Sequence, residues 1–186
     1  MLTGADLAVW ALVAGLPVLA FALWRGRPPW PRALSLTALT FYLAALIGLA
    51  FGGIPIDRSL LDDLGRFQGL GRFNLMPFWF VDNLIRDPSW KVLLLVIGNV
   101  ALFAPLGYLL PVLWNRYQRL RAVAVAGFLT SLTIELTQLG ISSLLSHSYR
   151  LFELDDLILN TAGAVLGWAL WRALRAPRAV AVGPTT

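Results

Sequence analysis

The chain reads RLFELDDLILNTAGAVLG at residues 150–167, a charged connection that runs directly into an apolar segment. Three shorter polar motifs precede it, namely FNLMPF at 73–78, NVALFAPLG at 99–107 and SLTIELTQ at 131–138. Isolated carboxylates and amides are costly inside a membrane span unless they are partnered, so they mark the working part of a membrane protein. The stretch from Asn74 to Gly167 therefore decides both the fold and the candidate site.

Composition determines the broad class of the protein. Of its 186 residues, 58% are hydrophobic and 13% are charged, and the mean hydropathy is +0.72. A soluble domain of this size could not bury so much apolar surface in its core, so the sequence indicates an integral membrane protein. Runs long enough to cross about 30 Å of hydrocarbon occur at 6–24, 33–53, 92–114, 122–145 and 157–174. We predict an all-α polytopic bundle with about five spans.

The distribution of Lys and Arg predicts the orientation, because short cytoplasmic loops are enriched in both. The connections at 25–32 and 115–121 hold three basic residues each, and three more follow Trp171. On the other side, none precedes the first span, Arg150 is alone between the last two, and five lie in the long loop 54–91. The density in the short loops predicts an N-terminus outside and a C-terminus inside.

The chain contains no internal repeat, and we divide it into four segments. They are an N-terminal transmembrane hairpin at 1–54, an outer-surface loop at 55–73, a three-span domain at 74–175 and a disordered cytoplasmic tail at 176–186. Within the outer loop, Ser59 and Asp62 have the spacing of a capping box, which favours a short amphipathic helix on the membrane surface. An irregular loop is the alternative.

The scarcity of His and Cys excludes several kinds of chemistry. The chain has one histidine and no cysteine, so we expect no disulfide, no thiol chemistry and no histidine-rich metal site. We expect no cofactor and no metal, with a divalent ion held by Glu153, Asp155 and Asp156 as the alternative. The pI near 10.4 indicates contact between cytoplasmic arginines and anionic membrane lipids, and we expect no nucleic-acid partner.

Two predicted spans carry polar stripes. At 100° per residue, each set of four side chains falls within about 60° of the helix surface. The fourth span carries Ser131, Glu135, Gln138 and Ser142, and the fifth carries Asp156, Asn160, Gly163 and Gly167. The two glycines form a small-xxx-small pair, which lets a neighbouring helix approach closely. The stripes are therefore predicted to face protein or water, not lipid.

The predicted orientation brings these residues to one outward pocket. The third and fifth spans begin outside, which places Asn99 and Asn160 in the outer half, and the turn near Asn74 lies outside as well. The candidate ligand-binding residues are Asn74, Asn99, Ser131, Glu135, Gln138, Arg150, Asp155, Asp156 and Asn160. The alternative is that these side chains only hold the bundle together through buried hydrogen bonds.

These residues resemble the VanZ-like family, named for a protein associated with teicoplanin resistance. The shared motifs are Asn74, Leu75, Pro77 and Phe78; Asn99, Phe103, Pro105 and Gly107; Ser131, Glu135 and Gln138; and Arg150, Asp156, Asn160 and Gly163. Each motif alone is weak, and four in order are more specific. The resemblance covers Asn74 to about Trp171 and implies a multi-pass protein of the bacterial cytoplasmic membrane, with glycopeptide resistance as an inferred role.

Three functions are compatible with these residues. In the leading hypothesis, the protein belongs to the cell envelope and binds or modifies a lipid head group or a lipid-linked wall precursor, with Arg150 paired to a phosphate or carboxylate. The second is an intramembrane hydrolase or transferase acting on a phosphorylated lipid, with Glu135 or Asp156 as the general base. The third is a membrane scaffold or transporter component, although no inverted repeat is evident.

Overall fold

A computed structural model describes residues 3–52, 73–86, 89–145 and 151–175. Three features predicted from the sequence lie outside these residues. They are the surface helix near Ser59, the side chain of Arg150 and the tail from residue 176.

The described chain is built almost entirely from α-helices. They are α1 (Gly4–Gly26), α2 (Trp30–Phe51), α3 (Trp79–Arg86), α4 (Trp90–Leu113), α5 (Leu120–Leu144) and α6 (Leu154–Arg175). A 3-10 turn at Asn115–Gln118 connects α4 to α5, and two short strands, β1 (Phe73–Asn74) and β2 (Phe152–Glu153), pair in parallel. All helices except α3 are long and apolar enough to cross a membrane. The prediction of an all-α, five-span bundle is confirmed.

Local sequence explains where the helices begin and end. Thr3 accepts a hydrogen bond from the Asp6 N–H at 3.2 Å, while Asp6 accepts from the Thr3 N–H at 2.9 Å, so a capping box starts α1. Ser89 caps α4 by accepting from the Lys91 N–H. After α1, Arg27 adopts a left-handed conformation with φ 34°, which ends the helix before the proline-rich turn into α2.

Glycines bring α4 and α6 into backbone contact. A Cβ atom on any of three glycines would overlap a carbonyl oxygen of the facing helix, so each glycine is required for the observed separation. The contacts are Gly163 with Val100, Gly167 with Ala104, and Gly107 with Ala164. From Asn99 with Asp156, through Val100 with Gly163, to Ala104 with Gly167, the contact positions rise along both helices, so α4 and α6 run parallel. The sequence predicted the close approach but did not identify the neighbour.

Helix α2 packs antiparallel to α4 and connects α1 to the rest of the bundle. Near the middle, the Tyr42 hydroxyl donates to the Leu102 carbonyl oxygen at 2.9 Å. Buried Leu46 and Phe103 pack together in the core between these helices. On the far side of α2, Gly48 lies so close to Gly4 that neither could carry a side chain. The hairpin of α1 and α2 is therefore held to α4 through α2.

The two ends of the bundle differ in charge. The basic end is where α1, α4 and α6 finish, and its described arginines are Arg25, Arg27, Arg32, Arg116, Arg119, Arg121, Arg172 and Arg175. The opposite end, called the polar end below, has Arg86 and Lys91 as its described cations. Because basic residues accumulate on the cytoplasmic side, this asymmetry supports the predicted orientation, which stays a prediction.

Thiol labelling of intact cells is expected to place the polar end outside. The chain contains no cysteine, so single variants Ser148→Cys and Thr185→Cys each carry one reactive group. A membrane-impermeant reagent should label position 148 on intact cells and position 185 only after lysis, because charge density places the tail inside. Labelling at 185 but not at 148 on intact cells would reverse the orientation.

Candidate functional site

The Asp155 carboxylate binds backbone N–H groups in the turn before α3 and in the first turn of that helix. Asp155 is 2% exposed, and its two oxygens accept from the Phe78 N–H at 2.6 Å and the Phe80 N–H at 2.9 Å. Phe78 has a φ of 61°, a left-handed conformation that is rare for an aromatic residue. A buried carboxylate at the start of α6 therefore fixes the shape of the turn that the sequence predicted near Asn74.

Strand pairing connects the same turn to α5. Asn74 in β1 lies opposite Glu153 in β2, and the Asn74 side-chain oxygen accepts from the Met76 N–H at 3.4 Å. The Glu153 N–H in turn donates to Glu135 Oε2 at 3.1 Å. Glu135 is 3% exposed, so this backbone donor is a partner of the kind that a carboxylate at this depth requires.

Two side-chain hydrogen bonds form successive layers between the helices. Asn99 of α4 donates from Nδ2 to Asp156 Oδ1 of α6 at 2.5 Å. One helical turn deeper, Asn160 of α6 donates from Nδ2 to Ser131 Oγ of α5 at 2.9 Å. Ser131 is fully buried and Asn160 is 5% exposed. We call Asn99, Ser131, Glu135, Asp156 and Asn160 the polar cluster.

One polar atom of this cluster has no recorded partner. Within the described part of the chain, Asn160 Oδ1 is buried and accepts no hydrogen bond. An unsatisfied buried carbonyl oxygen costs free energy, so this oxygen is a candidate acceptor for a donor outside the described residues. This atom lies beside the Ser131 bond, at the deepest layer of the polar cluster.

Gln138 closes the cluster on the side of α2. Its Nε2 donates to the Ala50 carbonyl oxygen at 2.7 Å, near the last turn of that helix. Gln138 and Ser142 are both almost fully buried. The predicted polar stripe on α5 therefore faces protein along its length, with α6 and β2 on one side and α2 on the other.

The structure separates the predicted ligand residues into two groups. Asn99 pairs with Asp156 and Asn160 with Ser131, side chain to side chain, between α4, α5 and α6, and Glu135 lies one helical turn from Ser131, where it accepts from the Glu153 N–H. Asn74, Gln138 and Asp155 instead use their side chains on backbone groups around the cluster. Arg150 lies outside the described residues. The sequence could not indicate the Ala50 carbonyl or the Phe78 and Phe80 N–H groups, since every residue type supplies such backbone atoms.

Metal ligation was the alternative for the acidic residues at the start of α6. Among residues 3–52, 73–86, 89–145 and 151–175, no group of three or more His, Cys, Asp or Glu side chains is placed to hold a metal ion. Glu153, Asp155 and Asp156 thus do not form such a group in that part of the chain.

Five apolar helices with a buried polar cluster at one end define a polytopic helical membrane protein. The model of one family, VanZ/LLP1, matches residues 39–175. The chain belongs to this family. The matched range starts within α2, earlier than the resemblance read from the motifs. No match is found among curated proteins or among solved structures.

Proposed function

We propose that the polar cluster binds the polar head of a membrane lipid or of a lipid-linked wall precursor, entering from the outer face of a bacterial cytoplasmic membrane. The observation that carries the proposal is the convergence of amide, hydroxyl and carboxylate groups from α4, α5 and α6 at one end of the bundle. Helix association alone does not require so many buried polar groups at one place.

The chemistry of the cluster favours a ligand rich in hydrogen-bond donors. Glu135 and Asp156 supply carboxylate acceptors, and buried Asn160 Oδ1 is an acceptor in need of a donor. Sugar hydroxyls, amides and ammonium groups satisfy such acceptors. A lipid-linked head group combines these donors with an anionic group. We propose that the guanidinium of Arg150 pairs with this anion. Contribution to teicoplanin-type glycopeptide resistance is the corresponding cellular role.

The turn held by Asp155 supports the proposal, because it is suited to be the entrance to the polar cluster. Phe78 and Phe80 are in ring contact, with centroids 6.3 Å apart, and the adjacent Trp79 is 40% exposed. Aromatic side chains prefer the membrane interface. An aromatic turn of fixed shape beside a polar cluster is suited to guiding an amphipathic molecule between lipid and site.

Substitutions of Glu135 and Arg150 are expected to weaken lipid binding more than stability. Purified protein would be titrated with a polyprenyl-diphosphate disaccharide and with phosphatidylethanolamine, using native mass spectrometry. Glu135→Gln and Arg150→Lys should each lower affinity for at least one probe by roughly tenfold or more, because charged hydrogen bonds are the strong ones and Lys lacks the planar fork. Deletion of the gene should also change susceptibility to teicoplanin.

Thr133→Val is the matched control for these variants. Thr133 lies on α5 close to Glu135, but its hydroxyl bonds the Leu129 carbonyl of its own helix at 2.7 Å. It should therefore leave probe binding unchanged. If Glu135→Gln and Arg150→Lys accumulate, fold and bind both probes as the native protein does, the polar cluster only holds the bundle together and the proposal is wrong.

A further inference from the structure

A basic cleft opens at the end of the bundle opposite the polar cluster. It has a volume of about 310 Å³, lies where α1 ends and α2 begins, and is lined by Arg27 and Arg32. Arg32 also lines a second cleft of about 310 Å³, which extends to Asn115 and Arg175. Arg32 Nη2 donates to the Leu113 carbonyl oxygen at 3.3 Å. This bond holds the guanidinium between the clefts and uses one of its five N–H donors.

An apolar groove continues from this cleft along the outside of the bundle. The groove lies between α1 and α2, has a volume of about 430 Å³, and shares Ala22 and Leu36 with the cleft. Small residues on α1, such as Ala11 and Gly15, leave the space open. From Ala22 to Ala11 the groove covers about 17 Å at the helical rise. That exceeds one leaflet of hydrocarbon, which is about 15 Å deep.

Charge identifies the kind of head group that fits the cleft. Within the described residues, the basic end contains no Asp or Glu, so its arginines there face no carboxylate of their own end. Arg175 and Arg172 lie over the rings of Trp171 and Trp168, each 5.3 Å from the centroid, which leaves their charge available at the membrane interface. A negatively charged head group is complementary to this surface.

We propose that the basic cleft and the groove together form a site for one anionic phospholipid. The phosphate lies at Arg27 and Arg32, and one acyl chain fills the groove between α1 and α2. This lipid site is independent of the proposed function, because it lies at the opposite end of the bundle and takes a different ligand. A lipid in this place would also join α1 to α2 where several α1 side chains, such as Ala11 and Gly15, are small.

Native mass spectrometry of the delipidated protein tests the site. The probe is phosphatidylglycerol, and the comparison is phosphatidylcholine with the same acyl chains. The Arg27→Gln/Arg32→Gln variant should bind phosphatidylglycerol about tenfold more weakly, since each basic residue near a membrane surface contributes a few-fold to anion attraction. Ala22→Phe should also weaken binding, because Ala22 lies at the junction of cleft and groove. This variant tests the site if the double variant fails to fold.

Arg121→Gln is the matched control, because Arg121 lies at the same end but lines neither cleft. It should bind phosphatidylglycerol as the native protein does. If Arg121→Gln weakens phosphatidylglycerol binding as much as the Arg27→Gln/Arg32→Gln variant does, the effect is due to general surface charge and the proposal is wrong. Equal affinity for phosphatidylcholine would also overturn it. Glycerol phosphate should bind at least tenfold more weakly than the lipid, because it cannot fill the groove; equal binding would indicate a soluble phosphate ligand instead.

Discussion

Gly167→Ala is expected to destabilise the bundle strongly. The added methyl group would overlap the Ala104 carbonyl oxygen and lie 2.9 Å from the Tyr108 backbone nitrogen. Both neighbours are backbone atoms, so relief requires α4 and α6 to move apart along their whole contact. Overpacking of this kind costs roughly 1–3 kcal/mol and occasionally more, and the backbone position of the clash favours the upper part of that range. The measurement is the midpoint of thermal unfolding of the detergent-purified protein.

Gly98→Ala provides a control within the same pair of helices. Gly98 belongs to α4, but a Cβ atom there would meet nothing within 4 Å. Alanine is the better helix former by about 1 kcal/mol, so this variant should be neutral or slightly stabilising. The two substitutions add the same group to the same kind of backbone. Equal unfolding midpoints for both variants would contradict the contact between α4 and α6.

The spacing of small and polar residues made much of this fold predictable. The Gly163 and Gly167 pair indicates a helix face that meets another helix, and the Glu135 stripe indicates a face turned from lipid. Neither pattern says which helix is opposite. That choice depends on loops and on contacts distant in sequence, such as Gly167 with Ala104, and a single sequence does not record those pairings.

The sequence predicted which residues form the polar cluster better than it predicted what each carboxylate binds. Four residues of the polar cluster were identified from helical spacing and Asn99 from its place inside the third span, because polar atoms inside an apolar segment stand out. Asp155 and Asp156 are adjacent in sequence and look equivalent there. The helical turn of about 100° between them directs Asp155 to the Phe78 and Phe80 N–H groups and Asp156 to Asn99. Only the surroundings of each carboxylate separate a backbone-binding role from membership of the cluster.

Asp155→Ala is expected to loosen the turn before α3 and lower the stability of the protein. The substitution leaves the N–H groups of Phe78 and Phe80 without their acceptor, at a cost of roughly 1–3 kcal/mol for each group that stays buried. Asp155→Asn should cost less, because its remaining side-chain oxygen can still accept from one of them. Thermal unfolding gives the total loss, and hydrogen exchange at Phe78 and Phe80 shows where it occurs.

Asp82→Ala removes the same charge from the same polar end of the bundle and provides the comparison. Asp82 pairs with Arg86 across one turn of α3 at 2.7 Å, and the two side chains are 49% and 78% exposed. Exposed pairs of this kind contribute at most about 1 kcal/mol, so this variant should unfold close to the native protein. If Asp155→Ala and Asp82→Ala lose the same stability, and exchange at Phe78 and Phe80 is unchanged, Asp155 does not hold the turn. The aromatic turn before α3 would then need another support, since the left-handed Phe78 is unfavourable without one.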